Sequence, residues 1–208
     1  ALSVKNMKPL NSKYEQLKLS ELFLEIKNGK NVNQIDDIGQ YKVSRIETIS
    51  TGVFNINAIK WTNDKVREED FLQHGDILFS HINSVQHLGK TALFNIDEKI
   101  VHGVNLLRFR PNRNIINFKY AYEVFQLKEF TNEIKNQAQK AINQASVNTA
   151  YLNEIKIPLP PLDIQELIVK ECQKIDDVVL KSNETIEQTK VEMKNKILSF
   201  SENNLKKV

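Results

Sequence analysis

The sequence holds one cysteine, Cys172, among its 208 residues. That excludes an intramolecular disulfide and fits a reducing, intracellular setting. Its four histidines (His74, His81, His87 and His102) follow no CxxC or HxxxH spacing, so no metal site is expected. No apolar run approaches the ~18 residues that span a bilayer, so no membrane association is expected. The polar start ALSVKNMKPLNSKYEQ does not read as a signal peptide. Phosphate loops of the GxGxxG or GxxxxGKS/T type are missing, as is a GxSxG elbow. So are a motif for S-adenosylmethionine and the Asn-Pro-Pro-Tyr/Phe sequence of adenine methyltransferases. Glu-x-Lys recurs at Glu25–Lys27, Glu133–Lys135 and Glu154–Lys156. Nothing upstream specifies the second acidic residue that a Mg²⁺-dependent nuclease needs. Each instance places an isoleucine between two charges, as an amphipathic helix or strand does. No catalytic residue is expected.

What is present describes a folded chain: 40% hydrophobic and 26% charged residues. The net charge is +3. Of the 29 basic and 26 acidic residues, 8 and 9 fall in 161–208, a net of −1 there and +4 before it. The positive excess, which permits contact with nucleic acid, precedes the proline cluster.

Hydrophobic patterning predicts an α+β domain of short strands and edge helices, then one long helix. Ser20 caps an expected helix over LSELFLEIKNGK (19–30), with Leu22, Phe23 and Ile26 on its apolar face and Gly29 as its stop. Strands are expected at 41–46, 75–79, 91–95, 105–109 and 155–159, with Arg108 and Arg110 lining an exposed sheet face. A helix is expected over 118–137, its apolar face including Tyr122, Phe125, Phe130 and Ile134. Polar loops occupy 48–58, 80–90 and 137–149.

From 163 to 200 apolar residues recur every three or four positions, among them Ile164, Ile168, Ile175, Val179, Ile186, Met193 and Ile197. About 38 residues at 1.5 Å each predict a rod of roughly 57 Å. Such a stripe needs a partner, and no second long helix occurs, so a coiled coil with another chain is expected. The stretch IPLPPLDIQEL (157–167) stands before it. Its prolines stop the preceding strand from continuing as helix. Asp163 is the expected N-cap, Glu166 its capping-box partner, and Leu162 with Leu167 a hydrophobic staple.

Several motifs fall in an order that resembles a known family. GDILFS (75–80) with LGK (88–90), HGVNLLRFRP (102–111), and the run from Ser146-Val147-Asn148 to IKIPLPPLDIQELIV (155–169) resemble the specificity subunit of type I restriction–modification systems. KLSEL (18–22) resembles the segment that opens each of its recognition domains. The resemblance covers about 17–200, and the proline joint running into a coiled-coil helix is its most specific part. It implies a polar lead-in at 1–17, a target-recognition domain at 18–161 and a spacer or dimerisation helix at 162–208. It further implies a non-catalytic, cytoplasmic protein of a bacterium or archaeon that binds double-stranded DNA and reads one half of a bipartite site. Partner subunits would methylate adenine with S-adenosylmethionine and would cut, so S-adenosylmethionine, Mg²⁺ and ATP are expected only there. A full specificity subunit has two recognition domains and two spacers, and this chain has one of each. It is expected to pair with a second copy or a second half-subunit, or to be the specificity end of a larger restriction–methyltransferase chain. A coiled-coil protein–protein adaptor is the alternative from another class.

Candidate DNA contacts are polar or basic loop residues. Lys27, Lys30, Lys42 and Arg45 suit phosphates, and Arg45 also suits a guanine. His81, Asn83, Ser84, His87 and Lys90 come from the loop after GDILFS. Asn143, Gln144 and Asn148 come from the Gln/Asn-rich loop, where Asn148 also suits a turn or cap.

Overall fold

A computed structural model describes residues 13–82, 88–140 and 146–205, without the side chains of 139–140 and 199–205. Two compact units divide the chain, the first ending at Glu166 and the second beginning at Leu167.

In the first unit, β1 (Gln16–Lys18) pairs antiparallel with β9 (Lys156–Pro158). Between them in sequence lie a four-stranded and a three-stranded sheet. The larger is antiparallel, in the order β2 (Phe23–Asn28), β8 (Leu107–Pro111), β5 (Ile77–Phe79), β6 (Thr91–Leu93). The smaller runs β4 (Lys60–Thr62), β3 (Tyr41–Val43), β7 (Ile100–Val101), with β3 and β7 parallel. The mixed α+β class follows the patterning. Two short strands, β4 and β7, lack enough alternation to be read from sequence.

The segment 19–30 departs from expectation. Only α1 (Leu19–Leu22) is helical, and it begins after Lys18, not Ser20. Phe23 onward is strand β2, because pairing with β8 outweighs the helical spacing of Leu22, Phe23 and Ile26. Gly29 does not stop a helix. A Cβ there would overlap the Gly103 carbonyl, and one on Gly103 would overlap that of Ser44. These glycines let three backbone segments cross.

The expected helix 118–137 is two helices, α2 (Phe118–Gln126) and α3 (Lys128–Lys140). Leu127 between them is extended. The bend lets Phe125 and Phe130 stack at 4.5 Å instead of trailing each other around one helix. Phe109 of β8 meets Phe125 edge-on at 5.1 Å, and Phe23 and Phe79 meet Phe109 likewise. This aromatic cluster fixes both helices to the large sheet. A second apolar cluster, including Ile49, Phe54, Leu78 and Phe94, packs on the rest of that sheet.

Arg108 and Arg110 do not line an exposed face. Arg108 is fully buried. Its Nη1 donates to Phe71 O (2.9 Å) and its Nη2 to Glu25 and to Glu69 O (3.3 Å). Arg110 grips Asp76 with two bonds of 2.9 and 2.8 Å, while its Nη1 stands 3.3 Å from Glu25 Oε1. Asp76, itself buried, also accepts from Gln73 N (2.8 Å). Burial works against the Glu25 carboxylate, but the bond from Lys27 and the charges of Arg108 and Arg110 hold it below the usual range.

α4 (Thr149–Glu154), absent from the sequence reading, leads into β9. The long helix α5 then runs Leu162–Leu205, about 66 Å at 1.5 Å per residue. It starts one residue before the expected cap. Gln165 N donates to Pro161 O (2.9 Å), so Asp163 lies in the first turn. Leu162 and Leu167 are 40% and 54% exposed and make no staple. The corner is fixed by Gln165, which is fully buried. Its amide oxygen accepts from Asn117 N (2.7 Å), and its Nε2 donates to Pro160 O (2.8 Å) and Ile115 O (3.2 Å). Asn117 meanwhile caps α2 with its own side chain. In the second unit the helix exposes Ile175, Val179, Ile186, Met193 and Ile197 along its length. Among the described residues, no helix is long and apolar enough to cross a membrane.

Two stability measurements test this account. Asp76→Ala leaves two guanidinium groups short of their shared carboxylate. It should cost about 3–5 kcal/mol, the usual cost of breaking a buried pair from one side, as read by urea unfolding. His102 supplies the second. Burial, and then the charge of Arg108, lower its pKa to about 3, and its Nε2 donates to Leu106 O (2.9 Å). The folded state therefore refuses a proton that the unfolded chain takes up at about pH 6.5. Stability should be full above that pH and fall toward pH 3, by up to ~1.4 kcal/mol per pH unit from this group. Urea titrations between about pH 7 and pH 5 should show the decline, and His102→Gln should flatten it.

Candidate nucleic-acid interface

Strands β5 and β6 carry the loop expected to read DNA. Beyond β5, Ser80 N donates to Lys90 O (2.9 Å) and Gly89 N to Ser80 O (3.0 Å), which closes the loop base. Gly89 turns there with φ +77°, a conformation other residues rarely take. Ile82 then forms an antiparallel bridge with Ser146, and Val147 N donates to His81 O (2.9 Å). The described residues next to 83–87 and 141–145 are therefore paired, although about 60 positions separate them in sequence. Asn83, Ser84, His87, Asn143 and Gln144 lie outside the described residues.

The remaining candidates occupy varied settings. His81 is turned inward and 7% exposed; burial lowers its pKa, so the ring is neutral near pH 7. Its position suits the loop root better than a base edge. Asn148 caps α4, accepting from Tyr151 N (2.8 Å). Four basic candidates are each held by a carboxylate: Lys27 by Glu25 (2.9 Å), Lys30 by Asp70 (2.8 Å), Lys42 by Glu98 (2.6 Å) and Arg45 by Glu47 (2.7 Å). The Arg45–Glu47 contact keeps both groups charged, raising the guanidinium pKa and lowering that of the carboxyl. Lys42–Glu98 and Arg45–Glu47 are the more solvent-facing pairs, which contribute about 0–1 kcal/mol, so a phosphate can displace the carboxylate there at little cost; Asp70 and Glu25 are more enclosed.

Lys90 differs. Its ammonium rests on Ser50 O at 2.6 Å, with no carboxylate within ion-pair distance among the described residues. It lines a cleft of about 270 Å³ beside the loop root, together with residues 50–52, Gln126 and, from α3, Thr131 and Lys135. The sequence reading named Lys135 only in the Glu133–Lys135 pattern and not as a DNA contact. Its signal was there: Lys128, Thr131 and Lys135 follow one another at three and four positions, a polar stripe flanking the buried Phe130 and Ile134.

The three Glu-x-Lys glutamates are scattered. Glu25 serves the buried charge cluster, Glu133 accepts from the Tyr151 hydroxyl, and Glu154 pairs with Lys18 at 2.7 Å. Among the described residues no group of His, Cys, Asp and Glu could hold a metal ion.

The fold and the sequence both match known proteins. The family model for the type I restriction modification DNA specificity domain matches residues 11–192. The putative type I restriction enzyme MjaX specificity subunit of Methanocaldococcus jannaschii is 37% identical over 179 residues, 84% of this chain and 42% of that protein. The HsdS subunit of Thermoanaerobacter tengcongensis shares the fold, with a TM-score of 0.64 at 15% identity over 86% of this chain and 46% of the other. A chain from a type I R-M system structure on complex assembly and conformational transition gives 0.65 at 18% identity, over 88% and 43%. The chain thus spans less than half the length of the relatives it matches. With most of its length inside the family model, it belongs to the type I restriction modification DNA specificity domain family.

Proposed function

We propose that this chain reads one half of a bipartite site on double-stranded DNA and presents it to separate methyltransferase and restriction subunits. The observation that carries the reading is the bridge between Ile82 and Ser146, which pairs the described ends of two polar segments just beyond strand β5. Two loops from one root can reach adjacent base pairs in a groove, while the sheet beneath holds their register. The chain does no chemistry in this reading. S-adenosylmethionine, Mg²⁺ and ATP are used by the partner subunits.

The long helix gives the reading its second part. Ile175, Ile186 and Ile197 are at least half exposed, and an isoleucine stripe of that length is stable in water only when covered. The proposed cover is the same stripe of a second copy, or of a second half-subunit. Two reading heads would then address a split, two-fold related site.

Selection of bound duplexes from a random pool tests the first part. It should enrich one short half-site, and Asn83→Ala or Asn143→Ala should relax preference at single positions at a cost of roughly 1–3 kcal/mol. Failure to enrich any sequence would sink the reading. Light scattering tests the second: the chain should run at twice its monomer mass, and Ile175→Glu with Ile186→Glu should return it to monomer. A stable wild-type monomer at micromolar concentration would remove the pairing.

A further inference from the structure

We infer that the cleft beside Lys90 is a seat for one backbone phosphate of the DNA, placed to set the register of the two loops. The inference rests on the proposed DNA reading and adds a site to it.

Charge balance distinguishes the cleft from the rest of the basic surface considered above. Lys27, Lys30, Lys42 and Arg45 each face a carboxylate, whereas no acidic residue lines this cleft. Lys90 and Lys135 both line it, and no acidic residue stands beside them among the described lining residues. Lys90 is also prearranged. Its bond to Ser50 O uses one of three N–H donors and fixes where the other two stand. Ordering a lysine side chain is a large part of the entropy lost when it binds an anion, and here folding has already met that cost.

The hydroxyl groups around the cleft narrow the ligand further. Ser50 Oγ donates to Glu47 O (3.0 Å), Thr51 Oγ1 to Val53 O (3.3 Å) and Thr131 Oγ1 to Leu127 O (3.2 Å). The protons of these three hydroxyls are committed, which leaves the Thr91 hydroxyl and one Gln126 hydrogen as neutral donors beside the two lysines. Gln126 spends an Nε2 hydrogen on Thr91 Oγ1 (2.5 Å). A site with charged donors and little directional polar readout suits a compact anion and carries no base code.

Position selects the anion's source. Lys90 is the residue whose carbonyl closes the 83–87 loop against Ser80, and Ser80 adjoins His81, which holds Val147. A phosphate seated on Lys90 is thus a few bonds of main chain from both loop roots. An acidic segment of a partner protein would gain nothing from that proximity, whereas a DNA strand entering the loops must pass a phosphate nearby.

The experiment is a salt titration of binding to the selected half-site and to random duplex, with wild type, Lys135→Gln and Lys135→Arg. Lys135 is half-buried, and no hydrogen bond or ion pair holds its side chain among the described residues, so its variants should melt as wild type does. Lys135→Gln should weaken both duplexes alike, lower the slope of log K against log salt by about one, and leave the enriched sequence unchanged. Lys135→Arg should restore the slope. An unchanged slope and affinity for Lys135→Gln would overturn the phosphate seat while the DNA reading stands. A changed preference at one base position would overturn it too, by making Lys135 a base reader. Wild-type protein that binds neither duplex would overturn the seat and the DNA reading together.

Discussion

A buried guanidinium cannot stay charged in this fold unless several strands hold still around it. Arg108 takes a carboxylate from β2, lies beside Asp76 at the start of β5, and reaches the carbonyls of Glu69 and Phe71 on the chain between β4 and β5. Its alternatives are to leave these partners unmet or to bring a charge into an apolar core, and both are expensive. The register of β2, β8 and β5 is therefore constrained by more than ladder hydrogen bonds. A slip of one residue would turn Arg108 to the other face of β8 and abandon all of its partners.

Gln165 performs a similar service where the first unit ends. Prolines leave the backbone around 158–161 short of N–H donors, and carbonyls there still require partners. One buried amide supplies them: it donates to Pro160 and Ile115 and accepts from Asn117. Tyr120 adds a bond to Pro158 O at 2.7 Å. The proline run is thereby part of the folded unit and not a free linker.

The sequence disclosed the parts of this molecule that depend on local patterning. Five strands stand where apolar runs and turn residues put them, and the long helix lies where the three-and-four spacing continues. It misled where a distant partner decides. The Leu22–Phe23–Ile26 spacing fits a helix until β8, some 80 residues on, offers a ladder. Arg108 and Arg110 alternate with Phe109 as surface residues do, and only the positions of Glu25 and Asp76 show that Arg108 is buried and Arg110 half-buried. Asp163 and Leu162 formed a plausible cap and staple, but a buried glutamine took over the corner. At the candidate site, the turn at 88–90 follows the polar composition of 80–90, whereas the expected loop 137–149 begins inside α3 and ends in α4. The pairing of Ile82 with Ser146 was not legible, because it leaves no trace in either segment. Lys135 was missed for a related reason, since an amphipathic reading of 118–137 discounts the polar face.

The bridge at the loop roots has one further property. Val147 N and His81 O are main-chain atoms, as are the pairs from Ser80 to Gly89 and Lys90. The clasp between the described ends of the two segments is thus written in backbone alone. A side-chain replacement at 80–82, 89–90 or 146–147, proline apart, removes none of its donors or acceptors.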